Sequence, residues 1–80
     1  MTYKVGNDLW WSQVSAIHET MPKGTHFKEA EIELFYRLYS RMREDGMNQE
    51  QIRSHFVTTF NIRYGAFYTR LRKVWCRHVL

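Results

Sequence analysis

The last thirty residues carry the side chains whose type and spacing could do chemistry. Residues 51–80 contain six Arg and Lys side chains and no Asp or Glu, whereas residues 1–50 contain six basic against eight acidic side chains, so that the net charge is +4. Arg63, Arg70 and Arg77 recur every seven residues, and a helix would place them on one side. A guanidinium group can donate two hydrogen bonds at once to a carboxylate or a phosphate. The segment is therefore suited to binding an anionic surface.

Small and hydroxyl-bearing side chains accompany these cations. On a helical wheel, Phe67, Leu71 and Val74 lie on one side, and the cations lie about a third of a turn away. Gly65 and Ala66 are small enough for a helix backbone to come close to a DNA groove, where long donors reach base edges and phosphates. The residues expected to contact double-stranded DNA are Arg53, Arg63, Tyr64, Thr69, Arg70, Arg72, Lys73 and Arg77.

A solvated basic face is the simpler interpretation of the same pattern, because Lys and Arg also stabilise the C-terminal end of a helix. The absence of acids favours binding instead, since a solvated helix usually interleaves both signs. A second binding hypothesis stays open. The same basic helix would also suit a small interaction protein, for example a phage-type inhibitor, that binds an acidic surface of a partner protein.

Four helices must position these residues. Trp10, Val14, Ile17 and Met21 recur at spacings of four, three and four, which predicts the first of them. The predicted helices span residues 8–20, 26–44, 48–57 and 62–76, in a single domain that covers residues 1–80. The expected N-terminal caps are Asn7 or Asp8, Thr25, Asn48 with Gln51 in a capping box, and Asn61. No segment alternates as a strand does, so the predicted fold class is all-α.

The second and third helices carry two further expectations. The second helix has two neighbouring apolar stripes, which indicates that it is sandwiched between partners or lies at a dimer interface. We expect a homodimer that uses this helix and Trp11. After Phe56, the β-branched Val57, Thr58 and Thr59 disfavour a helix, so we expect the third helix to fray there into a turn.

Residues 27–75 resemble the three-helix DNA-binding units of the helix-turn-helix superfamily. The pattern is a long helix FKEAEIELFYRLYSRMRED, then Gly46, then MNQEQIRSHF, a turn, and NIRYGAFYTRLRKVW. The resemblance implies that the last helix lies in the major groove, as in regulators of bacteria, phages and plasmids. It places in the recognition helix Arg63, Tyr64, Ala66, Phe67 and Arg70. It also implies a transcriptional regulator that binds DNA as a dimer.

The chain departs from this family at two places. The expected turn, 57–61, is longer than the usual three or four residues and contains no Gly. Arg53 stands where the family usually has a small residue that lets the two motif helices pack closely.

Other classes of function find little support in the sequence. Cys76 is the single cysteine, which excludes an internal disulfide and fits a cytoplasmic protein. Four His and one Cys do not show the spacing of a zinc site. No apolar run approaches the ~18 residues that span a membrane. We therefore expect no enzymatic activity, no cofactor, no metal and no membrane partner.

Overall fold

The described part of the chain consists of helices and their connections. The computed structural model describes residues 5–79, with side chains for residues 8–78. Along the chain lie α1 (Val5–Glu19), α2 (Phe27–Glu44), α3 (Gln49–Phe60), α4 (Tyr64–Val74) and a π-helical turn, Trp75–Val79. Within residues 5–79 there is no strand, so the predicted all-α fold is confirmed.

Helices α2 and α3 each pack against the other three α-helices, and α2 makes the more extensive contacts. Ala30 and Phe35 are fully buried, and Leu34 is buried beside them. The two apolar stripes of α2 are thus covered from different sides by other helices of the same chain. At the margins of the stripes, Phe27 and Tyr36 remain exposed.

Aromatic rings form much of the core that joins the helices. Trp10 of α1 is fully buried, and its ring lies 6.5 Å from Phe35 of α2 and 6.0 Å from Phe56 of α3. Phe67 of α4 lies 5.4 Å from Phe35 and 5.6 Å from Phe56. Such ring pairs contribute about 0.5–1.5 kcal/mol each beyond the apolar area that they bury. Every helix contributes a ring to this core.

The third helix is longer than predicted. It continues through Val57 and Thr58 to Phe60, so the expected turn over residues 57–61 is wrong. Phe60 is 3% exposed, and its ring lies 5.2 Å from that of Trp10. Burial of one aromatic ring outweighs the few tenths of a kcal/mol by which each β-branched residue disfavours a helix.

Two local signals were predicted correctly. Asn48 accepts a hydrogen bond from the backbone N–H of Gln51, and the Gln51 side chain accepts one from the backbone N–H of Asn48, both at 2.9 Å. This is the predicted capping box at the start of α3. Gly46 follows α2 with φ of +89°, a conformation that favours glycine at a helix end.

The other predicted caps are wrong. Helix α1 begins at Val5, so Asp8 lies inside its first turn. The N-cap of α2 is His26, whose side chain makes no capping bond, and not Thr25. Asn61 caps the end of α3 in the left-handed conformation (φ 53°, ψ 39°) and does not cap the start of α4.

Candidate nucleic-acid interface

Helices α3 and α4 are joined by a connection of three residues. Asn61 takes the left-handed conformation that a tight helix end needs, which asparagine tolerates better than most residues. Ile62 follows and is buried, so it fixes the connection to the core. Arg63 is the N-cap of α4, makes no side-chain capping bond and is exposed. The connection has the length that is typical of a helix-turn-helix unit.

Helix α4 has one face in the core and one face in solvent. Phe67, Leu71 and Val74 are buried, as predicted from the wheel. The outward face is formed by the side chains that are classed as exposed along the helix, namely Tyr64, Gly65, Tyr68, Thr69 and Arg72. Apart from the chain neighbours and the nearby backbone of α4 itself, no atom of the described residues lies within 4 Å of the position that a Cβ atom on Gly65 would take. The backbone of α4 is therefore open to close approach at this point.

Arg70 does not lie on that outward face. Its Nη2 atom is 2.6 Å from Oε2 of Glu31, and the two side chains are only 15% and 10% exposed. The guanidinium also lies 5.0 Å from the ring of Trp10, and Nη1 donates to the carbonyl oxygen of Ala66. The expectation that Arg70 shares an outward stripe with Arg63 is corrected, because a buried carboxylate attracts it into the core.

Arg77 is held by another carboxylate of α2. Both of its terminal nitrogens donate to the Glu29 carboxylate. Beside it lies an open groove of about 340 Å³, lined by Ile32, Arg72, Lys73, Cys76 and Arg77. Arg72 is exposed and Lys73 is half-buried at this groove. The groove is cationic, although Glu29 partly neutralises Arg77.

Arg53 joins the two helices of the unit. Its guanidinium lies 4.5 Å from the centre of the Tyr64 ring and donates to the hydroxyl of Tyr68 at 3.3 Å. A further nitrogen pairs with Glu50 at 2.9 Å. The hydrogen bond to Tyr68 is the main cause that raises the pKa of Arg53 above its ordinary value. The large side chain of Arg53 thus packs across the α3–α4 interface.

The predicted site residues therefore fall into three groups. Tyr64, Thr69 and Arg72 share the outward face of α4, and Arg53 and Arg63 lie at its N-terminal end. Lys73 and Arg77 line the cationic groove. Arg70 belongs to the core.

Tyr68 and Trp75 were not among the predicted site residues, although both lie on the surface of α4 or directly after it. They are 40% and 49% exposed, next to the buried Phe67 and Val74. The helical wheel places both on the border of the apolar face, which is the signal that points to them.

The described residues, 5–79, contain no cluster of three or more His, Cys, Asp or Glu side chains that could hold a metal ion. In the same range, no helix has the length and apolar character needed to cross a membrane. In the comparisons with known proteins, no family model, no curated protein and no solved structure matches this chain.

Proposed function

We propose that this chain is a small DNA-binding protein, a transcriptional regulator, that presents α4 to the major groove of double-stranded DNA. The observation that carries the proposal is the α3–turn–α4 unit with its three-residue connection and an outward face without acids. Because residues 51–80 contain no Asp or Glu, the face of α4 itself offers nothing that repels a phosphate backbone.

The outward side chains have distinct roles in this proposal. Gly65 lets the helix backbone approach the DNA, and Arg72 is the long donor at the centre of the face. Arg63 and Lys73 contact phosphates on either side, and the hydroxyl of Tyr64 adds a further phosphate contact. Arg70 contributes indirectly, since its ion pair with Glu31 holds α4 on α2.

A homodimer is part of the proposal, because one unit of this size reads only a short site. Most of the apolar surface of α2 is covered by the protein's own helices. We place the dimer contact at the edge where the exposed rings of Trp11 and Phe27 lie 6.0 Å apart.

The test is a titration of labelled random-sequence duplex DNA, followed by fluorescence anisotropy at several salt concentrations. Arg63→Gln/Lys73→Gln is compared with Lys28→Gln/Arg41→Gln, which removes the same charge from α2. Each lost phosphate contact reduces the log–log salt slope by about 0.9, so we expect the first variant to lose roughly two units of slope and the control to lose little. Absence of binding at low salt by the folded wild type would reject the proposal.

An acidic partner protein is the second candidate. The exposed rings of Tyr64, Tyr68 and Trp75 favour it, because Tyr, Trp and Arg are enriched at protein interfaces. In that case the duplex titration shows no binding, and Arg72→Gln weakens capture of the partner.

A further inference from the structure

We propose that Tyr64, Tyr68 and Trp75 form an aromatic strip that stacks on unpaired bases, so that α4 binds single-stranded nucleic acid. The inference rests on the proposed function, because it assumes that α4 binds nucleic acid. The two proposals differ in the nucleic acid that α4 binds most tightly, which is duplex DNA in the first and a single strand in the second. The shared chemistry is an unpaired base on a phosphate backbone, from either DNA or RNA.

The three rings lie on one side of the helix. At about 100° per residue, Tyr64, Tyr68 and Trp75 fall within roughly 40° of one another. They are 54%, 40% and 49% exposed, whereas the rings of Trp10, Phe35, Phe56 and Phe67 are fully buried in the core. Exposed aromatic faces beside a cationic groove are the parts from which sequence-independent single-strand sites are built.

The spacing of the rings suits separated bases. Tyr64 and Tyr68 lie about 6 Å apart along the helix axis, and Trp75 lies roughly 10 Å further on. Bases in a duplex repeat every ~3.4 Å, and their faces are covered by their neighbours. Rings at these distances can stack only on bases that have left the duplex stack.

Two of the rings are held in place. The Arg53 guanidinium lies against the ring of Tyr64 and donates to the hydroxyl of Tyr68. The charge on Arg53 lies on one side of the Tyr64 ring, while more than half of Tyr64 stays accessible. A base that stacks on the accessible side finds a ring that is already ordered, which lowers the entropy cost of binding.

Trp75 lies beside an apolar groove. The groove has a volume of about 250 Å³, and its walls include Tyr36, Tyr39, Leu71 and Trp75, with Arg43 as its cationic side chain. An apolar groove with a single cation matches a base attached to a phosphate. The strip thus continues from the α3–α4 interface to the side of α2.

Charge and hydrogen bonding also favour a single strand. Arg63 directly precedes the strip, Arg72 lies about 40° from Tyr68 at 100° per residue, and no acid occurs in residues 51–80. By contrast, the outward face has few free donors for base edges. Thr69 donates its hydroxyl hydrogen to the carbonyl oxygen of Gly65, which leaves Arg72 as the long donor at the centre.

The experiment compares four labelled oligomers of equal length by fluorescence anisotropy. They are oligo(dT), oligo(rU), an abasic DNA strand that keeps the phosphates, and a duplex. Trp75→Leu is compared with the control Leu9→Ala, since Leu9 is another large apolar side chain that is exposed, at 40%, on α1. Stacking of one base on one ring predicts a roughly 5- to 150-fold loss of oligo(dT) or oligo(rU) affinity for Trp75→Leu and little change for Leu9→Ala.

A spectroscopic measurement gives an independent readout. In Trp11→Phe, the remaining tryptophans are the buried Trp10 and the exposed Trp75. Stacking of a base on Trp75 quenches the exposed emission with oligo(dT) and leaves it unchanged with the abasic strand.

The outcomes separate the two proposals. Tighter binding of either single strand than of the abasic strand and the duplex, with quenching, supports the aromatic strip. Tighter binding of the duplex, or equal binding of the abasic strand, overturns the strip and leaves duplex binding by α4 in place. Absence of binding to all four oligomers overturns both.

Discussion

The guanidinium of Arg70 and the carboxylate of Glu31 form a nearly buried ion pair, with Nη2 and Oε2 2.6 Å apart. The indole N–H of Trp10 donates to the same carboxylate oxygen at 3.3 Å. Side chains from α1, α2 and α4 therefore meet at one group. Two donors, the Arg70 guanidinium and the Trp10 indole N–H, thus compensate the nearly buried negative charge of the carboxylate.

Loss of one partner from this pair should be costly. Arg70→Met leaves the Glu31 carboxylate nearly buried without its cation, and Glu31→Leu leaves the guanidinium in the same position. We expect each single substitution to lower the free energy of unfolding by about 3–5 kcal/mol, and the double substitution to recover most of that loss. Urea denaturation of the four proteins provides the measurement.

A surface pair serves as the control for this cycle. Arg37 and Glu33 lie one helical turn apart on α2, with side chains 60% and 31% exposed. Arg37→Met should cost less than about 0.5 kcal/mol, because exposed pairs are well solvated. A similar loss for Arg37→Met and Arg70→Met would contradict the structural role of Arg70.

Substitution of the N-cap residues of α2 and α3 should affect the free energy of unfolding to different degrees. Asn48→Ala removes a side-chain bond to the first turn of α3, and we expect a loss of about 1 kcal/mol in the free energy of unfolding. His26→Ala occupies the equivalent position of α2, where no such bond exists, and should be close to neutral. Thermal or urea unfolding measures both. Equal effects would argue against the capping box.

The same substitution should have opposite effects at two glycines. Gly46→Ala should destabilise the protein by about 1 kcal/mol, since φ is +89° there. Gly65→Ala should stabilise it by about 0.5 kcal/mol, because alanine favours the helix and the added methyl group meets nothing within 4 Å. If α4 enters a DNA groove, Gly65→Ala should nevertheless weaken duplex binding. A parallel rise in stability and affinity would count against close approach at Gly65.

A substitution at the end of α3 tests the extension of that helix. Thr58 is exposed and lies in a helical turn that the sequence does not favour. Thr58→Ala should raise the free energy of unfolding by about 0.5 kcal/mol, because alanine has the higher helix propensity. A turn at this position would show no gain.

The association state tests the proposed dimer edge. If Trp11 and Phe27 form the dimer contact, sedimentation analysis should show a dimer for the wild type and a monomer for Trp11→Lys. A monomeric wild type at high concentration would remove the dimer from the proposal and leave DNA binding by a single α4.

Local signals allowed the fold class and much of the helix pattern to be predicted. The capping box of Asn48 and Gln51 and the terminating Gly46 depend on neighbours in sequence, and both were predicted correctly. Phe60 shows the limit of such reasoning. Its helix persists because the ring packs on Trp10, fifty residues earlier, and propensity alone cannot register that contact.

The candidate site was predictable to a smaller degree. The helical wheel correctly placed Phe67 and Leu71 in the core. It gives only the direction of a side chain around the helix, however, and not the residue that the side chain contacts. Glu31 lies between Glu29 and Glu33 near the start of α2, yet its side chain is buried against Trp10. The ion pair with Arg70 followed from the packing of three helices, which no spacing in the sequence encodes.

The meeting of Trp10, Glu31 and Arg70 also has a kinetic consequence. Within residues 5–79, α1 and α4 do not pack against each other along their backbones, and Trp10 and Arg70 come together at Glu31 of α2, with the guanidinium 5.0 Å from the indole ring. The contact needs three docked helices and links residues near both ends of the chain, and we expect it to form after the folding transition state. Interactions that form late slow unfolding more than they speed folding. The lifetime of the native state, more than the rate of reaching it, should therefore depend on Glu31.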